Sequence, residues 1–138
     1  MALGRRTSIL DGGVLAAGRV QGWFEPTDCC LSVSPIHYSH GIKFTTFSPL
    51  ITGGSIAFPL DASRLDITEW FGELRPTWYS AGPTLHRYVL EKAELMPEAR
   101  TIHNLRFVVS AGAPLPEDVG VGLQRVLGVP VLQQIWDC

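Results

Sequence analysis

The feature that most narrows the possible folds is an alternation. Five short runs, CCLSVS, SIAFP, TWYSA, LRFVVSA and VPVLQQ, are rich in β-branched or aromatic residues and nearly unbroken in apolarity. Each is followed by a turn signal and then a helical pattern. A strand that is apolar on both faces needs cover on both, and a strand–helix–strand order supplies it through right-handed crossovers. The expected fold is α/β: a parallel sheet with helices on both faces, in three layers. A chain of 138 residues, 46% hydrophobic and 17% charged, is long and apolar enough for one core and short for two.

The intervening segments read as helices. In SRLDITEWFGEL, Leu65, Trp70, Phe71 and Leu74 approximate one stripe, with Asp61 or Ser63 as the N-cap. In PTLHRYVLEKAEL, Leu85, Tyr88, Val89 and Lys92 give the helical rhythm and Pro83 stands at the entrance. In PLPEDVGVGLQRVLG, Pro116, Glu117 and Asp118 fall in the first turn and Gly128 fits the C-cap. GGVLAAGRVQGWF reads as an opening helix weakened by its glycines.

Several functional classes lose support at once. A net charge of −2 with no run of Lys or Arg removes the electrostatic case for nucleic acid or an anionic membrane. The apolar stretches are too short to span a bilayer, and MALGRRTSILDGG lacks the long apolar segment of a secretion signal. Three cysteines, two adjacent and one terminal, form no disulfide framework. The expected compartment is the cytoplasm.

In open α/β sheets ligands gather at the carboxyl ends of the strands. The loops leaving those ends are PIHYSHG, PLDAS, AGPT and AGAPLPE, so the unusual residues are expected along one edge. Cys29, Cys30, His37 and His40 could be read as a zinc set, but neighbouring residues of a strand point to opposite faces, and the spacing lacks a Cys-x-x-Cys pair. The cysteines read instead as small buried hydrophobes. A hydrolase would need a nucleophile on a sharp turn; Ser110 ends a strand, but no Gly-x-Ser-x-Gly elbow exists, and His86 and His103 read as surface residues. In SAGAPLPED, Ala111, Gly112 and Ala113 let the backbone approach a flat ligand and Pro114 stiffens the exit. The acids of the next helix's first turn discourage phosphate there, so an uncharged ring such as adenine is the better guest. On loop chemistry alone a plain tight βα turn is the favoured reading.

From about Leu15 to Gln134 the order of segments resembles the adenylate-forming (AMP-binding) superfamily, which includes acyl-CoA synthetases and the adenylation domains of peptide synthetases. The residues that carry the likeness are DCCLSVSPIHYSHGIKFTTFSPLITGGSIAFP, LRPTWYSAGPTLHRYVL, LRFVVSAGAPLP and LGVPVLQQ. The likeness implies one subdomain of that fold, a single partial domain over residues 1–138 in which 1–13 and 135–138 depart from the family. It implies that Ser110, Ala111, Gly112, Ala113 and Pro114 flank the adenine and the acyl pocket. Tyr38 takes the position of the family's aromatic gate, His40 and Gly41 match a variant pattern ending His-Gly, and Pro83 and Thr84 begin a helix near the acyl pocket. His37 has no counterpart. The histidine loop thus resembles a pocket wall, with no metal ligands implied.

The family joins a carboxylic acid to ATP, giving an acyl-adenylate and pyrophosphate, and then usually transfers the acyl group to the thiol of CoA or a carrier protein. It does so with a Ser/Thr/Gly-rich phosphate loop, a Tyr-Gly-x-x-Glu motif whose acid assists Mg²⁺, a later ribose-binding Asp and a distal lysine. None of these is found here, and neither Lys43 nor Lys92 lies in the distal lysine's motif. No catalytic residue is therefore assigned, and ATP and Mg²⁺ are not expected to bind this fragment tightly. If Ile135, Trp136, Asp137 and Cys138 were encoded ATA TGG GAC TGC and followed by TGA, omitting the first base would give TAT GGG ACT GCT GA. That reads Tyr-Gly-Thr-Ala followed by Asp or Glu, so the expectation is a single inserted base in a longer gene. Apolar surface left uncovered by missing neighbours would favour self-association, the competing non-catalytic reading.

Overall fold

The computed structural model describes residues 24–38 and 40–133; the expected opening helix lies outside them, apart from Phe24, which is not helical. Five strands, β1 (Cys29–Leu31), β2 (Ser55–Ala57), β3 (Trp78–Ala81), β4 (Phe107–Ser110) and β5 (Val131–Gln133), form one sheet in the order β2-β1-β3-β4-β5. Every pairing is parallel. The register sets Cys30 beside Trp78, and Trp78 beside Phe107, on one face, and Leu31, Tyr79 and Val108 on the other.

Each face carries its own core. Leu31, Tyr79, Ala81 and Val108 pack with Trp70, Phe71, Val89, Leu90, Val119 and Leu123, under α2 (Pro83–Glu94) and α3 (Glu117–Leu127). Cys30, Trp78, Phe107 and Val109 pack with Phe24 and Phe44 on the opposite side. The three-layer expectation holds. Among the described residues no helix is long and apolar enough to cross a membrane.

Three elements depart from the expectations. A wide-turned π-helix over His40–Phe47, beginning inside the expected PIHYSHG loop, runs into α1 (Ser48–Thr52). The hydroxyls of Thr45 and Thr46 both donate to the Gly41 carbonyl at 2.9 Å, and Ser48 Oγ donates to the Lys43 carbonyl at 3.1 Å. Side chains thereby take carbonyls that an α-helical ladder would use. The SRLDITEWFGEL helix is split in two. Asp61 caps a single 3₁₀ turn, Ala62–Arg64, by accepting from the Ser63 amide at 3.0 Å. Leu65 then turns left-handed at φ 50°, and Asp66 starts a π-helix over Thr68–Glu73 by accepting from the Thr68 amide at 3.0 Å. The stripe Leu65, Trp70, Phe71 and Leu74 still meets the core.

In α2 the buried stripe is His86, Val89, Leu90 and Ala93, offset from the one expected. Lys92 is exposed, with its ammonium 5.3 Å from the centre of the Tyr88 ring. α3 ends at Gly128, φ 72°, as expected of a left-handed cap.

Candidate functional site

The strand order locates the site before any side chain is considered. From β1 the chain goes outward to β2, then crosses back to β3 and proceeds to β4 and β5. The connections from β1 and β3 therefore leave in opposite directions, which opens a crevice between their carboxyl ends. The histidine loop leaves β1 and the Gly82–Thr84 turn leaves β3, so these two flank the crevice. The Ala111–Pro116 loop leaves β4 on the same edge.

The opposite, amino edge is latched. Asp28, buried just before β1, accepts from Thr77 Oγ1 at 2.7 Å and Arg106 Nε at 2.9 Å on one oxygen. Its other oxygen accepts from Arg106 Nη2 at 2.5 Å and the Glu25 amide at 2.7 Å. Burial pushes this carboxyl up, but the bonds from Arg106, Thr77 and the Glu25 backbone outweigh it and hold it below the usual range. The amino ends of β1, β3 and β4 are tied by side chains, and the carboxyl ends are left to loops.

Each predicted site residue can now be placed. Tyr38 is largely exposed, and its ring centroid lies 4.4 Å from that of His37. Its amide donates to the Pro35 carbonyl at 3.1 Å and its carbonyl accepts from Ile42 at 3.0 Å, which folds the loop into the π-helix. Gly41 is buried where that turn closes: a Cβ there would stand 2.2 Å from the Pro35 carbonyl oxygen. His40 opens the π-helix. Pro83 and Thr84 form the first turn of α2, with Thr84 exposed. Ser110 and Ala111 are buried at the end of β4, and the Ala111 amide donates to the Ala81 carbonyl at 3.0 Å. Gly112, Ala113 and Pro114 are exposed beyond them. Gly112 sits at φ 91°, with no atom within 4 Å of where a Cβ would lie. Its glycine is required by the backbone turn rather than by a neighbour, and open space stands over it.

Among the described residues, Cys29, Cys30 and His37 form no metal cluster and Ser110 has no partnered base. Cys30 is buried in the core and burial drives its thiol well up, while Cys29 is only partly covered. Among the described residues no three His, Cys, Asp or Glu groups come close enough to hold a metal ion. The Ser110 hydroxyl is buried with no hydrogen-bond partner, so no base is in place to activate it. His86 and His103 are not surface residues. His86 is fully buried between Tyr79 and β4; His103 is half-buried, with Nε2 donating to the Leu127 carbonyl at 2.9 Å and Nδ1 accepting from the Leu105 amide at 3.0 Å. Sequence reasoning missed His86; its signal was the phase of α2, since 86, 89, 90 and 93 also make a helical stripe. The small-residue loop and the open space at Gly112 fit a flat ring.

A parallel sheet in this order, with a switch in connection direction between β1 and β3 and a small-residue loop after β4, defines a doubly wound α/β class. The family model for AMP-binding enzymes matches residues 11–136, and the chain belongs to that family. Oxalate–CoA ligase of Arabidopsis thaliana is 30% identical over 110 residues, covering 78% of this chain and 21% of that protein. The crystal structure of a benzoate CoA ligase from Burkholderia xenovorans LB400 superposes with a TM-score of 0.71 at 26% identity, covering 96% of this chain and 26% of that one. ATP-bound MatB from Rhodopseudomonas palustris shares the fold with a TM-score of 0.68 at 23% identity, covering 88% of this chain and 24% of its own. The chain thus spans about a fifth of the curated relative's length, 21%.

Proposed function

We propose that this chain is a part of an ATP-dependent acid–thiol ligase that walls the adenine and acyl pocket and performs no turnover by itself. In the full reaction a carboxylate oxygen attacks the α-phosphorus of ATP and pyrophosphate leaves; a thiol of CoA or a carrier protein then attacks the acyl carbon, taking the acyl group and releasing AMP and the thiol proton. In this reading the residues from Ser110 to Pro114 lie along the adenine. Tyr38, His40 and Gly41 supply the wall after β1, and Pro83 and Thr84 the wall after β3. The observation that carries the reading is the open backbone at Gly112, on the edge where the loops after β1, β3 and β4 emerge. The groups that would grip a triphosphate and magnesium belong to motifs not found in this sequence. The chain works in the cytoplasm in this reading, where the Cys29 and Cys30 thiols stay reduced. Titration of the ¹⁵N-labelled chain with AMP tests it: the amides of Ala111, Gly112 and Ala113 should move, and a spectrum unchanged at millimolar AMP would overturn it.

A second reading has its own support. Leu50, Phe58 and Leu60, at or beside the β2 edge, are 57%, 56% and 98% exposed. Large apolar side chains at a sheet edge favour self-association. Size-exclusion chromatography separates the readings, since a nucleotide-binding part should respond to AMP and a self-associating module should not.

A further inference from the structure

The most unusual buried group in the described residues is the imidazole of His86. It is 0% exposed and bonded at both nitrogens. Nε2 lies 3.2 Å from the carbonyl oxygen of Val109, which can only accept, so Nε2 carries the proton. Nδ1 is then an acceptor, and the Tyr79 hydroxyl, 3.2 Å away, donates to it. Burial drives the Tyr79 phenol far upward, which keeps that hydroxyl protonated at any physiological pH. The Val109 carbonyl thus fixes the tautomer, and the Tyr79 hydroxyl, able to donate or accept, follows it.

The location gives this arrangement a consequence. Val109 immediately precedes Ser110, the root of the small-residue loop. The His86 amide donates to the Gly82 carbonyl at 3.1 Å, the first bond of the helix that Pro83 and Thr84 open. The Ala111 amide donates to Ala81 at 3.0 Å beside it. One residue therefore holds the turn after β3 with its backbone and the end of β4 with its side chain. An aliphatic residue would fill the same volume without the cost of burying a polar ring, but it would tie nothing to Val109.

We propose that His86 is a positioning residue: its imidazole, fixed between Tyr79 and Val109, locks the loop Ser110–Pro114 against the turn Gly82–Thr84, and so sets the spacing of two walls of the ligand crest. The inference rests on the nucleotide-binding reading for its ligand, but its geometry can be tested separately. Displacement of a binding wall by about an ångström costs roughly tenfold or more in productive binding.

The test uses the full chain, uniformly ¹⁵N-labelled, with His86→Gln, His86→Phe and Tyr79→Phe variants and AMP as the probe. In the parent chain the His86 nitrogens should show the pattern of a neutral Nε2–H ring. His86→Gln keeps an amide donor near the Nε2 position and should bind AMP within about threefold of the parent, while His86→Phe should lose about tenfold. Tyr79→Phe, which preserves volume, should keep the Nε2–H tautomer held by Val109 and shift the Nδ1 resonance as its hydroxyl partner is lost, a signature that lost packing alone would not produce, and covers the case in which His86→Phe does not fold. A parent ring that shows the Nδ1–H tautomer, or a folded His86→Phe chain that binds AMP like the parent, overturns the proposal. Should the parent bind no AMP, the nucleotide reading fails, and amide shifts in His86→Phe then decide this inference alone. Shifts concentrated at Gly82 and Ser110–Ala113 uphold it; shifts equally large through β5 and the end of α3 overturn it.

Discussion

A methyl group at position 41 would stand 2.2 Å from the Pro35 carbonyl oxygen and 2.7 Å from its carbon, both backbone atoms that cannot swing aside. Gly41→Ala must therefore reopen the turn that carries Tyr38. The expected cost is about 2 kcal/mol or more in urea unfolding, and an unchanged midpoint would show that the loop closes differently. His103 offers a pH-dependent counterpart. Burial, together with the nearby charge of Arg75, lowers its pKa against the opposing pull of the Leu127 carbonyl. Its Nδ1 accepts the Leu105 amide, which only an unprotonated Nδ1 can do. A histidine depressed on folding contributes stability that is complete above its unfolded pKa of about 6.5 and is lost as pH falls toward the folded value. Unfolding followed from pH 8 to pH 5 should show that loss, and His103→Gln should flatten it; a parallel decline in both proteins would contradict the assignment. Ser110 makes the opposite kind of prediction. Its hydroxyl has no partner to lose, so Ser110→Ala should change stability by no more than about 0.5 kcal/mol in either direction.

Among the elements, the strands were readable because each is a short, nearly continuous apolar run, and their parallel pairing follows from the helices between them. α3 was readable from its acidic first turn and its Gly128 cap. The π-helix after the histidine loop was hidden because its turn is set by threonine and serine hydroxyls, which competes with the apolar rhythm used to recognise helices. The phase of α2 was misread because Leu85 and Tyr88 are half-buried while a histidine takes the innermost place. Histidine enters a core only with both nitrogens satisfied, and those partners, Tyr79 and Val109, come from other elements. The site residues were legible as loop chemistry at one sheet edge, whereas the spacing between the loops required the fold. The latch at the amino edge was also invisible, since Asp28 and Arg106 are 78 residues apart. Arg106→Met should cost about 2 kcal/mol: the change leaves a buried carboxylate less satisfied, moderated because the arginine is partly exposed. Since Asp28 is held below its usual range, its contribution is present above the unfolded pKa and disappears as pH falls through the folded value. Asp28→Asn should remove that acid-range slope, and a slope unchanged between the two proteins would place its origin elsewhere.

At the scale of the whole molecule, the fold supplies a rigid platform with one edge tied and the other given to loops. The chain matches its family over residues 11–136 and spans 21% of a curated relative and 26% of a solved one. The exposed Leu50, Phe58 and Leu60 define where further protein, or a second copy, would find apolar surface. Replacing all three with Ser should shift any oligomer seen by size-exclusion toward monomer without moving the amides of Gly112; an unchanged elution profile of an oligomeric parent would remove this edge from the interface. The central claim is that the chain retains walls of an adenine and acyl pocket without the machinery of adenylation. Exchange of labelled pyrophosphate into ATP, measured on the purified chain across a panel of carboxylic acids with magnesium present, addresses it most directly. The account predicts no acid-dependent exchange above background, and sustained acid-dependent exchange by the purified chain would contradict it.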